Sequence, residues 1–219
     1  MWCIGQITVE YRERMEALLA LYARPYNPLE PVICLDEKSK QLLAQTRRPL
    51  PLQAGVAARE DYEYRRAGTR NIFVAVEPKG GRRRAGVTAR RTKADFVRFV
   101  QELVEGAYRC AQKVHLVLDN LNTHFRGSFV EVLGQAGADR FLERVEFHYT
   151  PKHASWLNLA EIEIGILERQ CPGRRLGSEA RLVAEIAAWQ ERSNTEGRTI
   201  EGKFTAQDAE RKLGRHYVT

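Results

Sequence analysis

The sequence predicts an α/β fold built on a mixed sheet, antiparallel in its first part and parallel in its second, with helices on its faces. Three observations carry that reading. Short apolar runs bounded by turn residues recur at 32–35, 71–78, 82–88, 114–119 and 145–150. The first three follow one another with no helix between them, which favours an antiparallel meander. The later ones are separated by stretches with helical spacing of apolar residues, the pattern of crossover units and parallel pairing. A chain of 219 residues suits one domain with a small appendage.

Thr8 can cap a helix over 8–22, in which Tyr11, Met15, Leu18, Leu19 and Tyr22 share one face. Pro25, Pro28 and Pro31 stop it. The run 32–35 reads as a buried strand ending on Asp36. Residues 45–70, rich in Pro, Gly and Arg, read as mainly irregular, with DYEYR (61–65) a candidate short strand. NIFVAVEP (71–78) is a strand, Lys79, Gly80 and Gly81 a turn, and RRRAGVT (82–88) a returning strand. Thr92 can cap a helix to Tyr108 that carries Phe96, Phe99, Val100 and Leu103. The strand 114–119 ends on Asp119, helices follow over 126–136 and 137–144, and VEFHYT (145–150) is a strand. Ser155 is expected to cap a helix over 156–169; 172–177 is a loop; Ser178 starts a helix to Arg192; and 204–213 suggests one more. No repeat or low-complexity tract interrupts this order.

Composition narrows the function. Hydrophobic residues make up 43% and charged residues 29%, ordinary for a soluble domain. No apolar run approaches the roughly 20 residues of a membrane span, and no basic-then-apolar leader opens the chain, so the expected setting is the cytoplasm, with no membrane partner. Cys3, Cys34, Cys110 and Cys171 form no CxxC pair, which argues against a structural zinc site. Cys34 and Cys110 read as small core residues. The net charge is +7 and the isoelectric point 9.4, with arginines clustered at Arg47–Arg48, Arg65–Arg66, Arg82–Arg84, Arg90–Arg91 and Arg174–Arg175. Such a balance suits a polyanion, most simply nucleic acid, or serves solubility alone.

Two strands that end on aspartates can bring Asp36 and Asp119 together at one crevice. Paired carboxylates repel unless a cation neutralises them, and oxygen ligands suit Mg2+ or Mn2+. A two-ion site needs at least one more carboxylate. WLNLAEIEIGILERQ supplies Glu161, Glu163 and Glu168. Glu161 and Glu163, about 200° apart around a helix, cannot both face one site. Glu161 shares a face with Asn158 and Gly165, Glu163 lies among apolar neighbours, and the helical wheel does not choose between them.

The blocks CLDEKS (34–39), DYEYRRAGTRNIFVAVEP (61–78), LDNLNTH (118–124) and HYTPKHASWLNLAEIE (148–163) resemble the catalytic domain of DDE transposases, specifically the bacterial insertion-sequence branch of the mariner superfamily. The likeness runs in order from about residue 30 to the C-terminus. It implies a ribonuclease-H-like fold at 31–219, with 1–30 an N-terminal helix and linker. It matches Asp36 and Asp119 to the two catalytic aspartates and Glu161 to the glutamate of an Asn-x-x-Glu motif, all three as metal ligands. Asp119 and Glu161 are 42 positions apart, longer than in eukaryotic mariner relatives, so Glu163 is the second choice. The implied chemistry is phosphodiester hydrolysis and strand transfer at insertion-sequence ends on double-stranded DNA with two Mg2+ or Mn2+ ions. The resemblance also implies synapsis of two ends by a dimer, which these residues do not themselves show.

Full-length relatives carry a helix-turn-helix module before this domain, and one N-terminal helix leaves no room for it, so the expectation is a truncated chain. The competing readings are a catalytically inactive remnant that only binds DNA or oligomerises, and a ribonuclease-H-like nuclease of other purpose. Several residues are candidates for nucleic acid, each with a plainer reading. Lys38 can touch a phosphate or be solvated. Asn120 can reach the scissile region or form a turn. His124 can orient a water or phosphate, or cap the next helix. Lys152 and His153 precede a helix N-terminus, which favours anions. Trp156 can stack on a base or brace its helix. Arg82, Arg83 and Arg84 can track a DNA backbone or form a solvated face.

Overall fold

Period-two alternation along the first strand sets the architecture. Ile33 and Leu35 point into one apolar cluster and Cys34 into another, so the sheet is buried on both faces. The computed structural model describes residues 6–48, 50, 51, 53–57, 59, 61–171 and 175–218. Cys3 and Arg174 lie outside the described residues. The elements run α1 (Val9–Ala23), β1 (Val32–Gln45), β2 (Tyr64–Glu77), β3 (Arg82–Thr88), α2 (Lys93–Gln101) continuing into a π-helical turn (Glu102–Ala107), β4 (Val114–Leu118), α3 (Arg126–Leu142), β5 (Val145–Tyr149), α4 (Ala160–Gln170), α5 (Glu179–Glu196) and α6 (Ala206–Leu213).

Among the described residues five strands form one sheet in the order β3-β2-β1-β4-β5. β1, β2 and β3 pair antiparallel, and β4 pairs parallel with both β1 and β5. This is the expected mixed sheet. One face packs on α2 and α3 through Phe96, Phe129 and Leu103. The other is covered by α1, through Met15 and Leu18, and by α4 and α5, through Leu167, Ile186 and Trp189. Thr8, Thr92 and Ser178 cap their helices as expected, accepting from the backbone N–H of Tyr11, Asp95 and Arg181. No helix among the described residues is long and apolar enough to cross a membrane.

Three expectations are corrected. β1 does not end at Asp36; it continues to Gln45 against a β2 that begins at Tyr64, where irregular chain was expected. Along Ser39–Gln41 the extension pairs polar with polar or charged residues, such as Lys40 with Arg70 and Gln41 with Thr69, and beyond it Leu42 and Leu43 are adjacent, so no apolar alternation marks the strand. The two helices expected over 126–136 and 137–144 are present within α3, with the break at Gly134, whose φ of 70° only glycine adopts cheaply. Ser155 makes no cap: it opens a three-residue 3-10 turn (Ser155–Leu157), and Asn158 Oδ1 accepts from Ala160 N–H at the start of α4. Cys110 is exposed rather than core, while Cys34 and Cys171 are buried.

Candidate active site

The register of β1 and β4 brings the first two acids level. Cys34 pairs with Val117, so Asp36 and Asp119, each two residues further on, lie side by side at the edge of the parallel pair and on the α1/α4 face. Burial pushes the Asp36 carboxyl up to about 7; the charges of Asp119, Glu37 and Glu161 add to the rise, and the Glu37 N–H, donating to Oδ1 at 2.8 Å, works against it. That response places Glu161, at the exposed start of α4, within electrostatic reach of Asp36. The donor set is chemically suited to Mg2+ or Mn2+: hard oxygens whose mutual repulsion a cation would relieve. The arrangement is open, since the three carboxylates do not all lie within 4.8 Å of one another.

Behind Asp119 stands a group that the sequence did not disclose. Glu37 follows Asp36 in β1 and therefore points to the opposite face, where it is buried. His124, fully buried and tilted against the Phe96 ring, bridges the two acids: Nδ1 is 2.7 Å from Asp119 Oδ1, and Nε2 is 3.1 Å from Glu37 Oε2, though out of line for a hydrogen bond. Burial alone would lower the His124 pKa, but Asp119 and Glu37 override it and hold the ring at about 9. Burial would likewise raise Asp119; the His124 hydrogen bond and charge, the Leu121 N–H and Arg91 outweigh it and hold the carboxyl below its ordinary range. Arg91 also closes on Glu37 Oε1 at 3.5 Å. His124 thus orients Asp119 and is not placed to touch DNA. The only signals for Glu37 and Arg91 were their neighbours in sequence, an aspartate and an arginine run.

Asn158 and Glu163 fix α4. Asn158 is buried, and its Nδ2 donates to Leu35 C=O at 2.9 Å, tying the helix start to the residue before Asp36. Glu163 is fully buried and accepts from Arg83 Nη2 at 3.0 Å. Glu163 turns inward to an ion pair, whereas Glu161, exposed at the start of α4, is the glutamate whose charge reaches Asp36. Arg83 is correspondingly withdrawn from any DNA-facing role. Strand alternation buries it, while Arg82 and Arg84 stay exposed.

Beside Asp119, a hollow of about 320 Å3 is lined by Asp119, Asn120, Thr150, Pro151, Lys152, His153 and Ser155. Lys152 and His153 are exposed on a turn closed by Ala154 N–H to Pro151 C=O, and His153 adopts a φ of 63°, a left-handed conformation unusual outside glycine. They precede a 3-10 turn rather than an α-helix N-terminus. The Asn120 amide is engaged in the fold, donating to Thr150 C=O at 2.5 Å and accepting from Arg14 at 3.0 Å. Lys38 pairs with Glu168 of α4 at 3.1 Å. Trp156 is 41% exposed and packs edge-on against Phe204.

Residues 31–183 match the family described as DDE superfamily endonuclease. No curated protein matches the chain. Among solved structures it is similar to the Mos1 mariner paired end complex with Mn, with a TM-score of 0.53 and 14% identity over 90% of this chain and 61% of that one. It is similar also to the Mos1 paired end complex with Mg, at 0.51 and 13% over 100% and 66%, and to a pre-cleavage Mos1 transpososome, at 0.50 and 15% over 94% and 61%. At these identities the likeness is one of fold, and that fold is ribonuclease-H-like. The chain spans less than two thirds of the length of each of those Mos1 chains.

Proposed function

The chain belongs to the DDE superfamily endonucleases, and from that premise we propose that residues 31–219 are a transposase catalytic domain of the bacterial insertion-sequence branch of the mariner superfamily. It hydrolyses DNA phosphodiester bonds at insertion-sequence ends and transfers strands, in the cytoplasm where its DNA lies. The observation that supports this reading is that Asp36, half-buried beside the end of β4, responds to the charges of both Asp119 and Glu161, which come from separate parts of the chain.

Asp36, Asp119 and Glu161 would hold two Mg2+ or Mn2+ ions. When bound, such ions supply an activated water or DNA 3′-hydroxyl and neutralise charge on the departing oxygen. The chain's own residues do the rest. His124 keeps Asp119 ionised and aimed. Asn158 and the Arg83–Glu163 pair hold α4 so that Glu161 faces the aspartates. Lys152 and His153, beside the hollow next to Asp119, receive the DNA backbone, and Arg82 and Arg84 extend the positive surface. The similar Mos1 chains are in paired end complexes with Mn and Mg, which supports double-stranded DNA as partner and two copies holding two ends.

The test is plasmid nicking. The purified chain should convert supercoiled DNA to nicked circles with Mg2+ or Mn2+ and not with EDTA. Glu161→Gln should lower the rate about 10³-fold, the kinetic equivalent of ~4 kcal/mol of charge stabilisation. A folded wild-type chain that binds DNA yet cuts with neither ion would replace this reading with the inactive remnant; faster cutting of RNA–DNA hybrids than of duplex DNA would favour a ribonuclease. His124→Gln should raise the Mn2+ concentration for half-maximal nicking roughly 10–100-fold, the usual cost of losing an outer partner of a metal ligand. An unchanged Mn2+ requirement would mean that His124 serves only the core.

A further inference from the structure

We infer that His115, Glu146 and His148 form a second metal site, for a divalent transition-metal ion of the Zn2+ class, at the opposite end of β4 from the acidic centre. His115 pairs with Glu146, and His148 lies two pairs further along, against Val117. All three side chains emerge on the same sheet face. His115 Nδ1 is 3.0 Å from His148 Nε2 and 3.7 Å from Glu146 Oε2, and His148 Nε2 is 3.4 Å from Glu146 Oε1. Ligand atoms held tetrahedrally at about 2.0–2.1 Å from zinc stand ~3.3–3.4 Å apart, so two imidazole nitrogens and the Glu146 carboxylate already stand near the spacing of such a site, with a fourth position left to water. Among the described residues this is the one group of three whose ligand atoms lie so close.

The surroundings agree. His115 is buried, and His148 is only 17% exposed at its side chain. Burial lowers the pKa of both rings despite Glu146, and neutral imidazole is the ligating form. Two cations border the group: Arg24 Nη1 is 3.5 Å from His115 Nε2 and Lys113 Nζ is 4.0 Å from Glu146. Both belong to side chains that reach solvent. A metal on Nδ1 places the His115 proton on Nε2, and Arg24 swings outward to make room for it. Two imidazoles and one carboxylate select zinc, cobalt or nickel, whereas three carboxylates select magnesium or manganese. The two sites are four residues apart along β4, about 13 Å at ~3.3 Å per residue. The ion would staple β4 to β5 beside the α1–β1 linker, where Pro31 C=O accepts from His115 N–H.

The experiment uses the full chain, stripped with chelator and titrated with Zn2+ and separately with Co2+. The expected result is one tightly held Zn2+, a raised melting temperature, and an intense visible Co2+ spectrum of four-coordinate nitrogen–oxygen type. All three should persist in a triple variant with Asp36→Asn, Asp119→Asn and Glu161→Gln. His148→Gln and, at the exposed position, Glu146→Gln should each weaken Zn2+ binding at least about tenfold and abolish the Co2+ spectrum. The proposal is overturned if Zn2+ stabilises His148→Gln and wild type equally, if neither ion binds, or if the triple variant loses the site. The transposase reading is untouched by each of these outcomes.

Discussion

Asp36→Asn should raise the melting temperature of the metal-free chain while abolishing its nicking activity. The two effects have one cause. Burial and the neighbouring acids hold the folded Asp36 carboxyl at about 7, against an ordinary 3.8. Between those values the folded state keeps a proton that the unfolded state has released. The stability attached to that proton is therefore fully present below pH 3.8 and is lost as the pH rises through about 7. Asparagine carries no charge to desolvate and escapes the loss. The variant's advantage should be negligible near pH 4, grow toward pH 7 and then level off, reaching at most about 4 kcal/mol. Added Mg2+ should narrow the gap, because it stabilises the wild-type chain preferentially. Thermal melts from pH 4 to 8 in EDTA and in Mg2+ give the answer directly. Equal melting temperatures at pH 8 in EDTA would mean that an ionised Asp36 suffers neither from burial nor from the neighbouring acids, and the metal site would lose its main support. Such an exchange of stability for function is common at built sites.

The acids that could be read from sequence were those announced by strand periodicity. Asp36 and Asp119 each follow a buried apolar run, so their place near a sheet edge was legible, whereas the register that sets them level is a tertiary matter. β1 was cut short because the run Glu37–Gln41 is polar and no apolar alternation leads from it to Leu42. The run Arg82–Arg84 shows the opposite difficulty. Read as charge it is one basic patch; read as strand it alternates, and only the knowledge that α5 packs against β3 tells that Arg83 goes inward. His124 was ambiguous between cap and phosphate ligand because its second partner, Glu37, lies on β1, far away in sequence. Glu161 and Glu163 could not be separated on a wheel for the same reason: the group that claims Glu163 is 80 residues earlier.

Glu163→Gln should destabilise the chain by about 3 kcal/mol, enough to lower the melting temperature roughly 6–12 °C for a domain of this size. Glu163 is fully buried, and Arg83 at 1% side-chain exposure has no water to fall back on. Removing the carboxylate leaves a guanidinium without its counter-charge in the interior, the costly half of a buried pair. The guanidinium cannot simply rotate away. Its Nη1 donates to Gly81 C=O at 2.9 Å and also to Arg198 C=O, and the Arg83 backbone is clasped by Asn194 through bonds of 2.7 and 2.9 Å. The Gly81 turn is equally fixed, since a Cβ there would stand 2.5 Å from Gly197 C=O. A double variant, Arg83→Met with Glu163→Leu, should recover much of the loss, because apolar side chains of similar volume replace a buried pair at little or no net cost. Glu161→Gln, at the exposed start of α4, should leave the melting temperature within about 0.5 kcal/mol of wild type. Below its transition Glu163→Gln should still nick DNA, where Glu161→Gln should not. The decisive opposite result is a Glu163→Gln chain that melts normally and cuts nothing, since that would make Glu163 the third metal ligand and the Arg83 pair incidental.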